Sequence, residues 1–150
     1  MKKTALFIIV LLGFVSSIFA QNDLVNWKFV SNKISGEMYE IRLEATVKKG
    51  WHIYSQNPGE GPLPTAVSFK KSPLIILDGS LKEVGSIKKE HSEVFNSEIR
   101  YYENTMVLIQ RVRLKASVKT AVNGSINYMV CSNKQCLAPR TKEFTVSIRS

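Results

Sequence analysis

Between Tyr39 and Lys48 apolar and polar residues alternate one for one: Tyr39, Ile41, Leu43, Ala45 and Val47 against Glu40, Arg42, Glu44, Thr46 and Lys48. A two-residue period is that of a strand with one buried face and cannot place an apolar stripe on a helix. The pattern returns in Met106, Leu108, Val112 and Leu114 against Arg111, Arg113 and Lys115, where Gln110 is the one polar residue on the apolar side. That strand is predicted to be central. Phe144, Val146 and Ile148 close the chain in another such run.

Shorter strands are predicted at 51–55, 66–69, 74–77 and 80–87, punctuated by Ser-Pro and Asp-Gly turn signals. Segment 57–64 holds three prolines and two glycines and reads as a long loop. Asn123-Gly124 reads as a hairpin turn just before the cysteine strand. Helix signals are almost absent. About seven to nine short strands at this spacing predict an all-β fold, an immunoglobulin-like antiparallel β-sandwich. The usual inter-sheet disulfide of such folds is missing, because the two cysteines lie five positions apart.

Residues 1–20 read as a signal peptide, with Lys2 and Lys3 before an apolar run from Ala5 to Val15 and a cut near Ala20. The run is broken by Ser16 and Ser17 and is short of the roughly 20 residues of a spanning helix. The expected mature chain, 21–150, is one domain, periplasmic or secreted, with no stable membrane anchor. Without Lys2 and Lys3 the formal charge falls from +9 to +7. Basic residues come at most in pairs and match no nucleic-acid motif, so no nucleic-acid partner is expected.

Both cysteines lie in segment 128–141. Ile126, Tyr128 and Val130 alternate with Asn127, Met129 and Cys131, which puts Cys131 on the outward face. A turn through Ser132, Asn133, Lys134 and Gln135 sets Cys131 opposite Cys136 and Val130 opposite Leu137. Their Cα atoms would then be about 4.5 to 5.5 Å apart, within reach of a disulfide. So short a loop stabilises by only about 2 kcal/mol through chain entropy. The residues alone leave a structural clip, a redox pair and a metal site open. A zinc site is the poorest fit, since it wants four ligands and His52 and His91 are far apart in sequence.

Two further segments stand out. In Trp51-His52-Ile53-Tyr54, Trp51 and Ile53 are expected in the core, with His52 and Tyr54 facing outward. Segment 90–98 is polar except for Val94 and Phe95 and reads as a loop whose aromatic must cover something.

Taken together, Gly50 to Pro58, the Val94-Phe95 loop with Tyr101-Tyr102, and Tyr128 to Thr141 resemble the family of the N-terminal periplasmic domain of the thiol:disulfide interchange protein DsbD. The resemblance implies thiol–disulfide exchange without a cofactor, in which Cys136 joins the partner and Cys131 resolves the mixed disulfide. It implies that Phe95 caps the pair and that Trp51, His52 and Tyr54 lie near it, of which only Tyr54 keeps the family's residue type. Reducing equivalents would come from a thioredoxin-like protein or a membrane electron-transfer protein supplied in trans and pass to envelope thiol proteins. This chain departs from the family in having four residues between its cysteines rather than five. The alternative is a non-catalytic immunoglobulin-like binding module in which Cys131–Cys136 is a permanent clip.

Overall fold

The structure, a computed structural model, describes residues 23–149. The expected signal peptide and the cut expected near Ala20 lie outside them. Eleven strands run in order: β1 (Val25–Ser35), β2 (Met38–Val47), β3 (His52–Tyr54), β4 (Ala66–Phe69), β5 (Ile75–Val84), β6 (Ile87–Ser92), β7 (Ser97–Tyr102), β8 (Thr105–Leu114), β9 (Thr120–Tyr128), β10 (Val130–Cys131) and β11 (Arg140–Ile148). No helix occurs among the described residues.

All pairings are antiparallel, in the orders β1-β2-β8-β5, β11-β9-β4 and β10-β3-β7-β6. The fold is an immunoglobulin-like sandwich in three sheets rather than two, since the chain leaves one sheet at β9 and enters another at β10 across Met129. One core joins all three: Ile41, Leu43, Met106 and Leu108 from the first, Ile126 and Ile148 from the second, Ile53 and Val130 from the third. Each such side chain contributes about 1.5 to 3 kcal/mol of burial. Trp27 meets the edge of Tyr128 at 5.4 Å and Phe29 lies 5.5 Å from Phe144, locking β1 over β9 and β11.

The β8 strand is central, between β2 and β5, as its alternation predicts. Two turn signals proved to be something else. Asp78-Gly79 does not separate two strands: β5 runs through it, with a register shift between Asp78 and Lys82. There the buried Gln110 amide donates to the carbonyls of Asp78 and Gly79, each at 3.2 Å, which explains the polar residue on an apolar face. Asn123-Gly124 lies in the middle of β9, between β11 and β4. A Cβ at Gly124 would meet the carbonyl of Ser68 and the ring of Phe144, so glycine here serves close packing, not a turn.

Segment 90–98 is likewise more ordered than its composition predicts. The hairpin β6–β7 occupies it and turns at 93–96. From Ile87 to His91 every residue of β6 is exposed, so this edge strand carries no apolar alternation to betray it.

Candidate functional site

The site is built where β3 lies between β10 and β7. His52 pairs with Cys131 and Ile53 with Val130 on one side; Ile53 pairs with Tyr102 and Tyr54 with Tyr101 on the other. Ile53 points into the main core. His52 and Tyr54 take the opposite face, which would have met solvent had the β6–β7 hairpin not covered it. Both are therefore buried rather than outward, at 6% and 2% exposure, and Trp51 is half-buried against the core.

The same cover corrects the expectation for Cys131. It is on the face opposite Val130, as the alternation requires, but is only 1% exposed, in a second apolar cluster with Tyr54, Ile99 and Tyr101. Its partner is placed differently. Cys136 is exposed, and a disulfide joins the two across Cα atoms 4.0 Å apart, somewhat closer than the expected spacing. The turn between them is held by Ser132 N–H donating to the Gln135 carbonyl at 2.8 Å and Leu137 N–H donating to the Val130 carbonyl at 2.9 Å. Ser132 Oγ accepts from the N–H groups of Lys134 and Gln135, both at 3.2 Å. Cys131 thus opposes Cys136 and Val130 opposes Leu137, as the turn signals predict.

Phe95, half-buried at the β6–β7 turn, packs on the cluster that contains Cys131. The proline-rich loop supports it from behind. Arg100 N–H donates to the Pro58 carbonyl at 2.8 Å and Ser97 Oγ to the Glu60 carbonyl at 2.6 Å. Gly61 lies against the Phe95 ring so closely that a Cβ would overlap it, and its φ of +107° also excludes most side chains. The loop that reads as an excursion is therefore a bracket for the aromatic.

Between the hairpin turn and the cysteine turn runs a groove of about 580 Å³, lined by His52, Tyr54, Phe95, Ile99, the segment 132–136 and residues 90–94. Lys134 lies on its rim, whereas Arg140, the other cation near the cysteines in sequence, faces Asp23 at 3.8 Å. Burial pushes the His52 imidazole below its ordinary range, with Glu90 and Glu103 working the other way. Burial also raises the phenol of Tyr54, seconded by Glu90, and pushes Tyr101 up to about 12, again with Glu90 adding. Around the disulfide stand a neutral imidazole and neutral phenols at neutral pH. His52 and His91 come to one groove, but no group of three His, Cys, Asp or Glu side chains able to hold a metal occurs among the described residues.

Sequence reasoning did not name Ile99, Tyr101 or Glu90 as site residues. The signal for Ile99 and Tyr101 was their alternation within 97–102, which marks one face of a strand but not what that face meets, while the exposed Glu90 of β6 had none.

The family model described as Thiol:disulfide interchange protein DsbD, N-terminal, matches residues 21–148. Similar solved structures include the N-terminal periplasmic domain of ScsB from Proteus mirabilis, with a TM-score of 0.59 and 18% identity, covering 86% of this chain and 47% of that one. This chain thus spans about half the length of the Proteus structure. The reduced DsbD N-terminal domain of Neisseria meningitidis gives 0.52 and 15%, covering 81% of this chain and 86% of that one. A complex of the DsbD N-terminal and PilB N-terminal domains from the same organism gives 0.51 and 12%, covering 86% and 87%. At these identities the likeness to solved structures is one of fold. No curated protein matches this chain.

Proposed function

We propose that this chain, which belongs to the family of the N-terminal domain of the thiol:disulfide interchange protein DsbD, relays reducing equivalents by thiol–disulfide exchange through Cys131 and Cys136. The observation that carries the reading is the asymmetry of the pair: Cys136 is exposed at a groove while Cys131 is 1% exposed beneath it. Exchange needs one sulfur that a partner can reach and a second that meets only the first. A clip needs no such division.

In the reduced protein the Cys136 thiolate attacks a partner disulfide and forms a mixed disulfide; Cys131 then attacks Cys136 and releases the partner reduced. Phe95 covers the Cys131 side of the pair, and His52 and Tyr54 form its floor, while Trp51 packs on the main core with Ile53, on the other face of β3, away from the pair that the resemblance set it beside. The donor is a thioredoxin-like or membrane electron-transfer protein and the acceptors are envelope thiol proteins. A complex solved for the Neisseria DsbD domain with a PilB domain supports a protein partner at this kind of fold. The periplasm is the compartment, reached through the expected signal peptide cut near Ala20. The chemistry calls for no metal or cofactor.

Cys131→Ser should leave a lone reactive thiol that accumulates a mixed disulfide with a thioredoxin-like protein, visible on a non-reducing gel, while Cys136→Ser should trap little. Adducts from Cys136→Ser alone would reverse the roles. No adducts from either, with a wild-type disulfide that resists thioredoxin-like reductants, would make the pair a clip in a binding module.

A further inference from the structure

Resolution of the mixed disulfide asks Cys131 to become a thiolate, yet its sulfur is enclosed by Tyr54, Ile99 and Tyr101, where burial disfavours the charged form. The exposed Lys134 belongs to the turn around Cys136. What Cys131 meets across the β3–β10 ladder is His52. Residues opposed in this way keep their side chains on one face, with Cα atoms about 4.5 to 5.5 Å apart.

The His52 ring is fixed there, 4.4 Å from the ring of Tyr101 and 5.3 Å from that of Tyr54. Its Nε2 is buried and has no hydrogen-bond partner among the described residues. An unpartnered buried ring nitrogen costs free energy and asks for a reason. We infer that His52 is the proton acceptor for Cys131 in the resolving step, an inference that rests on the exchange reading above.

Cys131 Sγ–H gives its proton to His52 Nε2. The thiolate electron pair forms the Cys131–Cys136 bond as the bond between Cys136 and the partner sulfur breaks, and that electron pair leaves on the partner sulfur. The cysteine pair is oxidised by two electrons, the partner disulfide is reduced, and the imidazolium returns its proton to the departing thiolate or to solvent. The charged and titratable groups facing His52 fit both halves of this cycle. Tyr54 from β3 and Tyr101 from β7 stay neutral, and burial keeps the resting imidazole neutral and able to accept. Glu90 from β6 and Glu103 after β7 favour the imidazolium once formed. His91, Glu93 and Lys134 stand farther out, exposed on the groove rim.

The test uses the reduced protein with one equivalent of an aromatic disulfide, dithiobis(nitrobenzoate). Attack by Cys136 releases one coloured thiolate and resolution by Cys131 releases a second. In His52→Gln the ratio of second to first release rate should fall at least about tenfold at neutral pH. The second release in wild type should slow as pH drops through the ionisation of His52, followed by ring-proton NMR on the same protein, and this inflection should vanish in His52→Gln. An unchanged ratio and an unchanged pH profile would overturn the inference. Should His52→Gln not fold, wild type still decides, because an inflection that fails to coincide with the His52 titration overturns it equally. A wild-type protein that releases one thiolate only, or is first modified at Cys131, overturns the exchange reading and with it this inference.

Discussion

Strands β2 and β3 follow one another in the chain and bury their residues by different rules. In β2 the buried Tyr39, Ile41, Leu43 and Ala45 alternate with Glu40, Arg42, Glu44 and the exposed Thr46, because one face meets the core and the other meets water. In β3 all three residues are buried, because the core takes Ile53 and a second cover takes His52 and Tyr54. That cover is the β6–β7 hairpin with Phe95 and the cysteine turn. The first region holds the molecule together; the second encloses one sulfur of the disulfide against its flank. A histidine and a tyrosine on the face of a strand that should be wet are the mark of such an enclosure.

The sharpest way to break this division is a cavity in the first region. Leu108 of β8 is fully buried opposite Leu43 of β2. Leu108→Ala should cost about 2 to 5 kcal/mol, read as a lower denaturation midpoint. In the fraction that remains folded, the reduced cysteines should react with an alkylating agent at the wild-type rate. A change in that rate would mean that the two regions are one.

The same contrast sets what the sequence discloses. The alternation of Tyr39 to Val47, Met106 to Leu114 and Phe144 to Ile148 specifies strand, face and core at once, because burial there depends only on which side of the pleat a residue takes. At the site, periodicity still assigns faces correctly, His52 with Tyr54 and Cys131 opposite Val130. It cannot say what lies over them, since the cover comes from a hairpin some forty residues along the chain from β3. The exposed edge strand β6 leaves no apolar pattern, so only the β7 half of the hairpin is marked, and nothing marks the pairing that folds it over β3. Gly124 and Gly79 mislead in a related way, because glycine signals close approach or a bulge in the same letter that it signals a turn.

A smaller effect is expected from Phe95→Ala. The ring is half-buried, so the loss should be about 1 to 2 kcal/mol rather than the 3 to 5 of a fully buried phenylalanine. Its chemical effect should be selective. In the reduced variant Cys131 should gain alkylation rate more than Cys136, which is already exposed. Peptide mapping after brief alkylation reads the ratio. Equal acceleration of both, or a loss of stability as large as that of Leu108→Ala, would make Phe95 part of the main core.

The effect that is smallest at neutral pH concerns what holds the phenols of the enclosure neutral. Tyr101 is pushed up to about 12, first by burial and then by Glu90. A raised phenol keeps its proton in the folded chain after the unfolded chain has lost its own near pH 10, so the stability it contributes is intact below about pH 10 and lost as pH rises toward 12. No change is expected at pH 7. Phenolate absorbance of the native protein should therefore contain a component with its midpoint near 12. Glu90→Gln should bring that midpoint only part of the way down, because the cover over Tyr101 remains when the charge is gone. A full return to the ordinary tyrosine range would mean that charge, not enclosure, sets the chemistry of this region.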